Sequence, residues 1–371
     1  MASIQQQRVD NAVILTLQHP PVNALTRTLA GELSAALSEL SANPPSRIIL
    51  TGEGRIFIAG ADLREIQRIT QGEAPPELPY LNPLLEEIEN FPAPVVMAIN
   101  GTTLGIGLET ALAGHMRLAV PSATLGLPEV KLGLIPGAGG TQRLPRLVGP
   151  ARALAMMESG TPISAEEAKS AGLVDAIVAE GELLATALTI PAPLRKTSAL
   201  PLNCSRAARA MFAAYSAGEF ATGLAKETAI FREALQSGEA RALVHLFFAE
   251  RECQKLPQPL PNGEAAPALL PAPTGRVVEV IYSDSTSGPL LQKHAEELRQ
   301  ARTLPVFTKE PLLPRLAPLA DAGDSQVLQQ TAEQLVSEGV VARLSDVDIL
   351  LVYGYGLPAE QSLSILTYHY N

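Results

Sequence analysis

The order of apolar runs in the N-terminal half leaves few folds open. "AVILTLQ" (Ala12–Gln18) is strand-like, and the two prolines of "HPPVNAL" end it. Leu25, Leu29, Leu33, Leu37 and Leu40 then recur at helical spacing, which predicts an amphipathic helix over Thr26–Ser41. "RIILTG" (Arg47–Gly52), "APVVMAING" (Ala93–Gly101) and "MRLAV" (Met116–Val120) read as further strands. The stretch after Ala151 and the stretch from Ala207 to Lys255 read as helical. Strands that alternate with helices predict α/β layering.

Composition removes several function classes. With 38 acidic residues against 28 basic ones the net charge is −10, and no Lys/Arg cluster is present, so no nucleic-acid partner is expected. No apolar stretch is long enough to span a bilayer, and "MASIQQQRVDNAVILTLQHPPVNAL" lacks a basic segment followed by an apolar one. Two cysteines, Cys204 and Cys253, are too few for a disulfide framework, which fits a reducing compartment. These features predict a cytoplasmic protein with no membrane partner. No His/Cys/Asp spacing suggests a metal site. His115 reads as a cap or packing residue, His19 as a loop residue, and His245 and His294 as helical.

Three stretches carry candidate chemistry. In "NGTTLGIGLETALAG" (Asn100–Gly114), Gly105 and Gly107 suit a turn into a helix that begins near Leu108. Amides at a helix start are unpaired and carry partial positive charge, so they can hold an oxyanion. Glu109 stands in the first turn of that helix. The plain alternative is a tight turn before a solvated or N-terminal helix carboxylate. A dinucleotide loop is a weak reading, since Thr110 stands where the third glycine of GxGxxG belongs. "LGLPEVKLGLIPGAGGTQRL" (Leu125–Leu144) holds a lone carboxylate, Glu129, between apolar segments. "GRIFIAGADLREI" (Gly54–Ile66) runs as a strand into Ala59-Gly60-Ala61-Asp62 before a helix.

Together these stretches resemble the crotonase (enoyl-CoA hydratase/isomerase) family. They stand in the family's order, and Glu109 and Glu129 reproduce its twenty-residue spacing. The resemblance is close from Val9 to about Val178. The stretch Gly223–Arg251 is similar to the connecting helix of multifunctional fatty-acid oxidation enzymes, which join a hydratase/isomerase half to a 3-hydroxyacyl-CoA dehydrogenase half. The resemblance implies an α/β fold: a crotonase-like ββα spiral, a helical linker, and a small degenerate α/β-plus-helical C-terminal region. The corresponding divisions are 1–191, 192–258 and 259–371. The first would assemble as a homo-oligomer, a trimer or a pair of trimers, unless the appended half blocks it.

The implied activity is hydration of a 2-enoyl-CoA by syn addition of water, or Δ3,Δ2-enoyl-CoA isomerisation, in fatty-acid or related acyl breakdown. Another crotonase-fold lyase or hydrolase, or a non-catalytic assembly partner, are the alternatives. The amides of Ala61 and Ile106 would form the oxyanion hole for the thioester carbonyl. Glu109 would activate water at Cβ, and Glu129 would exchange the proton at Cα. Ala59, Gly60, Ala61, Asp62 and Leu63 would lie along CoA. Coenzyme A is part of the substrate, and no other cofactor is implied. The family usually has three glycines where this chain has Gly105-Ile106-Gly107. The Ile106 side chain must therefore find room, by narrowing the acyl pocket or by a different local φ. Arg143 and Arg146 read as helix-surface residues, with a CoA phosphate as the alternative.

"KLPQPLPNGEAAPALLPAPTG" (Lys255–Gly275) reads as a linker or irregular segment. Beyond it, "GRVVEVIYSD" and "TLPVFTK" read as strands, and "GPLLQKHAEELRQAR" and "SQVLQQTAEQLVSEGV" as helices. These fragments resemble the dehydrogenase half. Twelve residues before Glu279, where that family carries a catalytic His, stands Pro267. Pro314 takes the place of its Asn. No NAD binding or dehydrogenase activity is expected, and Glu279 reads as a solvated or strand-edge carboxylate. "VVEVI" and "DILLVYGYGL" still need burial, together or against the N-terminal half.

Overall fold

The structure is a computed structural model that describes residues 2–75, 78, 80–200, 220–272, 276–301, 303–312, 315–316 and 325–355. The chain divides into two compact units, Met1–Ser237 and Gly238–Asn371. The boundary therefore falls inside the helical stretch expected as a separate 192–258 region.

The first unit is a spiral of strand pairs and helices. Strands β1 (Ser3–Val9), β2 (Ala12–Gln18), β3 (Arg47–Gly52), β5 (Val95–Ile99), β7 (Met116–Ala119) and β10 (Ala176–Ile177) form one sheet in the order β1-β2-β3-β5-β7-β10. The β1–β2 pair is antiparallel, and the rest of that sheet is parallel. A second sheet holds β4 (Ile56–Ile58), β6 (Thr102–Leu104), β8 (Thr124–Gly126) and β9 (Ile163–Ser164) in that order. Each turn of the spiral gives β3, β5 or β7 to the first sheet and β4, β6 or β8 to the second. The crossings are tied together: Asn100 donates to the carbonyls of Gly52 (2.8 Å) and Gly54 (2.9 Å), and accepts from the Gly52 amide (3.1 Å). Every residue of β5 is buried, as a parallel strand covered on both faces must be.

Helices of the first unit are α1 (Arg27–Ser41), α2 (Leu63–Thr70), α3 (Leu81–Glu89), α4 (Ile106–Ala113), α5 (Gly140–Val148), α6 (Pro150–Ser159), α7 (Ala165–Ser170), α8 (Leu183–Thr189) and α9 (Phe220–Leu235). Thr26 caps α1, its hydroxyl accepting from the Leu29 amide, and the leucines at helical spacing face the core. Helix α4 is buried on all sides.

The second unit begins with α10 (Gly238–Cys253). Its sheet has the order β11 (Ala268–Pro271), β12 (Val277–Ile281), β13 (Leu304–Thr308), with α11 (Gly288–Gln300) crossing between the parallel strands β12 and β13. Helices α12 (Ser325–Ser337) and α13 (Leu344–Ile349) follow, then a π-helical turn at Leu350–Tyr355. The end of the expected linker is thus a strand: β11 pairs antiparallel with β12, and Pro271 is tolerated at its edge. Val277 shares one buried cluster with Ile349, Leu350 and Leu351, so "VVEVI" and "DILL" pack together within this unit. Glu279 is neither solvated nor at an edge. It lies fully buried on the central strand, and its carboxylate accepts from the Leu312 amide at 3.1 Å. Pro267 is buried, while Pro314 and Cys204 lie outside the described residues.

Candidate active site

The second sheet ends where the candidate residues gather. Ile58 of β4 lies in register with Thr103 of the parallel strand β6. The amides of Ala61 and Ile106 each lie three residues beyond that pair, past the carboxyl ends of neighbouring strands, where α/β folds receive ligands. Ile106 opens α4, whose first intrahelical bond runs from the Glu109 amide to the Gly105 carbonyl (3.0 Å). Its own amide is therefore one of the helix's orphan donors. Among the described residues neither Ala61 nor Ile106 spends its amide on a hydrogen bond. Leu25 donates to the Gly60 carbonyl (3.0 Å) and Ala59 to the Val22 carbonyl (3.2 Å), which fixes the approach to Ala61. Asp62 caps α2 by accepting from the Arg64 amide (3.0 Å), and Leu63 is that helix's first residue.

The "GIG" sequence has a separate reason at each position. Gly105 has φ +57°, which places the chain in the left-handed region before the helix. At Gly107 an added Cβ would sit 2.1 Å from the Ile58 carbonyl oxygen, so the helix rests directly on β4. Ile106 between them takes ordinary helical backbone, and its side chain is buried, so no unusual φ is required.

Both glutamates face this corner. Glu109 is 3% exposed, and its Oε1 accepts from the amides of Ala138 and Gly140, both at 2.8 Å. Burial drives its carboxyl well above the ordinary range, the charges of Glu227 and Glu129 add to that, and the two amides oppose it. Glu129 opens a 3-10 turn (Glu129–Leu132) after Pro128. Its Oε1 lies 3.0 Å from where a Cβ on Gly105 would stand, so the carboxyl faces the backbone that presents Ile106. Glu129 as a whole is only half-buried, but its Oε2 is closed to solvent and unpartnered among the described residues. Burial pushes this carboxyl up to about 7. The structure thus brings together Glu109, Glu129 and the backbone at Ala61 and Ile106. Glu109 is not a solvated helix carboxylate.

Behind the site, Arg143 is 1% exposed and pairs with the buried Glu89 at 2.8 Å. It also donates to the Ala138 carbonyl (3.2 Å), so it braces the segment that serves Glu109. Arg143 is therefore no surface arginine. Arg146 is half-buried over the Phe220 ring. His115 is buried as expected of a packing residue, its Nδ1 accepting from the Val95 amide (2.9 Å). Sequence reasoning missed Glu227 on α9, 2% exposed, which accepts from the amides of Gly139 and Thr141 and from the Thr141 hydroxyl. The available signal was its register: Leu224, Glu227, Phe231 and Leu235 fall on one buried face, and a carboxylate in an apolar stripe needs a partner. Among the described residues no cluster of His, Cys, Asp and Glu could hold a metal ion, and no helix is long and apolar enough to cross a membrane.

Residues 8–255 match the model of the family described as enoyl-CoA hydratase/isomerase. A probable enoyl-CoA hydratase of Bacillus subtilis (strain 168) is 40% identical over 250 residues, covering 65% of this chain and 93% of that protein. The peroxisomal bifunctional enzyme of Danio rerio is 35% identical over 288 residues, covering 68% of this chain but only 38% of that protein. The chain thus spans about two-fifths of the length of such bifunctional relatives. Among solved structures, an enoyl-CoA hydratase/isomerase from Pseudoalteromonas atlantica T6c superposes with a TM-score of 0.54 at 30% identity, covering 66% of this chain and 96% of that one. The chain belongs to the enoyl-CoA hydratase/isomerase family.

Proposed function

We propose that the first unit adds water across the double bond of a 2-enoyl-CoA thioester. The observation that carries this reading is the meeting of two buried carboxyls with two unspent amides at one end of the second sheet. The Ala61 and Ile106 amides would receive the thioester oxygen as charge develops on it; such donors are worth about 3 kcal/mol each in other enzymes. Glu109, ionised, would take a proton from water as its oxygen bonds to Cβ. Glu129, protonated, would deliver a proton to Cα. The O–H bonds of water and of Glu129 and the C=C π bond break, and C–O, C–H and Glu109 O–H bonds form. Moving a proton between carbons through Glu129 alone gives the isomerase variant. Turnover of a panel of enoyl-CoA thioesters by the purified protein, followed by loss of the conjugated-thioester absorbance, tests this. Failure with every member would contradict it.

The reactive form holds one proton on the carboxyl pair, in hydration and in dehydration alike. The kcat/KM profile should therefore be a bell in both directions, reporting the pair rather than either residue. Because burial raises both groups, the pair keeps a proton well above the ordinary carboxylate range. Activity should fall on the alkaline side once the pair gives up its shared proton, and on the acid side once the pair takes up a second. A flat profile between pH 5 and 9 would contradict the shared-proton assignment.

The second unit we read as a remnant without hydride chemistry, so NAD should show no saturable binding by calorimetry. Its βαβ turn, between β12 and α11, reads "YSDSTS" and has no glycine to let a pyrophosphate approach the backbone. Pro267, where the dehydrogenases carry their His, has no proton to exchange. Measurable reduction of NAD by a 3-hydroxyacyl-CoA would overturn this. For the whole chain we propose a cytoplasmic homo-oligomer, in keeping with the acidic charge and the buried free thiol of Cys253.

A further inference from the structure

Four consecutive amides at the start of α5 are divided between two carboxylates from different helices. Ala138 and Gly140 donate to Glu109 of α4, while Gly139 and Thr141 donate to Glu227 of α9. The Thr141 hydroxyl also donates to Glu227. Arg143, held by Glu89, donates to the Ala138 carbonyl, which belongs to the same peptide unit as the Gly139 amide. That unit is thus gripped at both ends. Nothing in a helix start by itself decides which carboxylate each amide meets.

We infer that Glu227 is a positioning residue for the hydratase site: it draws the Gly139 and Thr141 amides toward α9 and so leaves those of Ala138 and Gly140 aimed at Glu109. The inference rests on the assignment of Glu109 as the group that activates water. Glu227 also sets the charge of the corner. The charged groups facing it are Glu109 from α4, Glu129 from the 3-10 turn and Arg143 from α5. Burial raises its own carboxyl, with its three donors and Arg143 opposing that, and its negative charge when ionised raises both catalytic carboxyls.

Glu227→Gln tests this, because it keeps the shape of the side chain and removes its charge. It should lower kcat by up to about 10²-fold, the loss typical of a displaced catalytic group, with KM little changed. Removing a like charge should also move the acid limb of kcat/KM to lower pH. A role in stability alone would lower the unfolding temperature and leave kcat and the acid limb where they are; that result overturns the inference. Should Glu227→Gln not fold, Thr141→Val removes a single hydroxyl donor. It should lower kcat in the same direction at constant KM, and an unchanged kcat would overturn the role. A wild-type chain inactive on every thioester would instead sink the hydratase reading, and this role with it.

Discussion

Glu109→Gln and Glu129→Gln should each lower the rate of enoyl-CoA hydration by roughly 10²–10⁴-fold, the usual contribution of a positioned acid or base. Neither should harm the fold. A glutamine at position 109 keeps the oxygen that accepts from Ala138 and Gly140. Each native carboxyl has its titration raised by burial. Such a group costs stability above the unfolded-state carboxylate range, where the unfolded chain releases the proton that the folded chain retains, and costs none below it. The amide variants should therefore unfold at the same or higher temperature at pH 7, and show no gain near pH 4. Kinetics and thermal unfolding on the same samples check both halves. Full hydration activity in both variants would rule out the two-carboxylate mechanism. Hydration lost and isomerisation kept in Glu109→Gln alone would point to a single-acid isomerase.

Gly107→Ala should be among the most damaging single methyl additions to this chain. The new Cβ would sit 2.1 Å from the Ile58 carbonyl oxygen, a backbone atom on a buried strand that has nowhere to go. Overpacking of this kind typically costs about 1–3 kcal/mol, and more where backbone must shift. Relief requires α4 to lift from β4, which moves the Ile106 amide and Glu109 together. Stability and turnover should thus fall in the same variant. Gly31→Ala is the control: Gly31 lies on the exposed face of α1 with no atom within 4 Å of an added Cβ. There the helix should gain about 0.5–1 kcal/mol. Equal unfolding temperatures for the two variants would contradict the close approach of α4 to β4.

These two variants mark what the sequence could and could not disclose. The long strands and α1 were legible because their apolar periods are uninterrupted over six residues or more, and β2, β3 and α1 match the predicted spans to within a residue. The three-residue strands β6 and β8 were not, since three residues cannot display an alternation and they form only by pairing with neighbours. Strand β1 was missed for another reason: "SIQQQRV" is an edge strand with four exposed residues and little apolar signal. Glu109 and Glu129 were visible as carboxylates in apolar company. Glu227 was hidden by distance, since its partners lie 86 and 88 residues earlier in the chain. Arg143 and Glu279 were misread alike. Each is a charged residue whose burial depends on a partner from a remote segment, Glu89 for one and the Leu312 amide for the other.

Hydration of crotonyl-CoA in water enriched in ¹⁸O tests the central claim most directly, because it reports the bond made by the water that Glu109 is assigned to activate. The product should be 3-hydroxybutyryl-CoA carrying one ¹⁸O in its Cβ hydroxyl, with the thioester intact and the rate lost in Glu109→Gln. Label appearing in a released carboxylate, or a double bond that migrates without taking up oxygen, would contradict it.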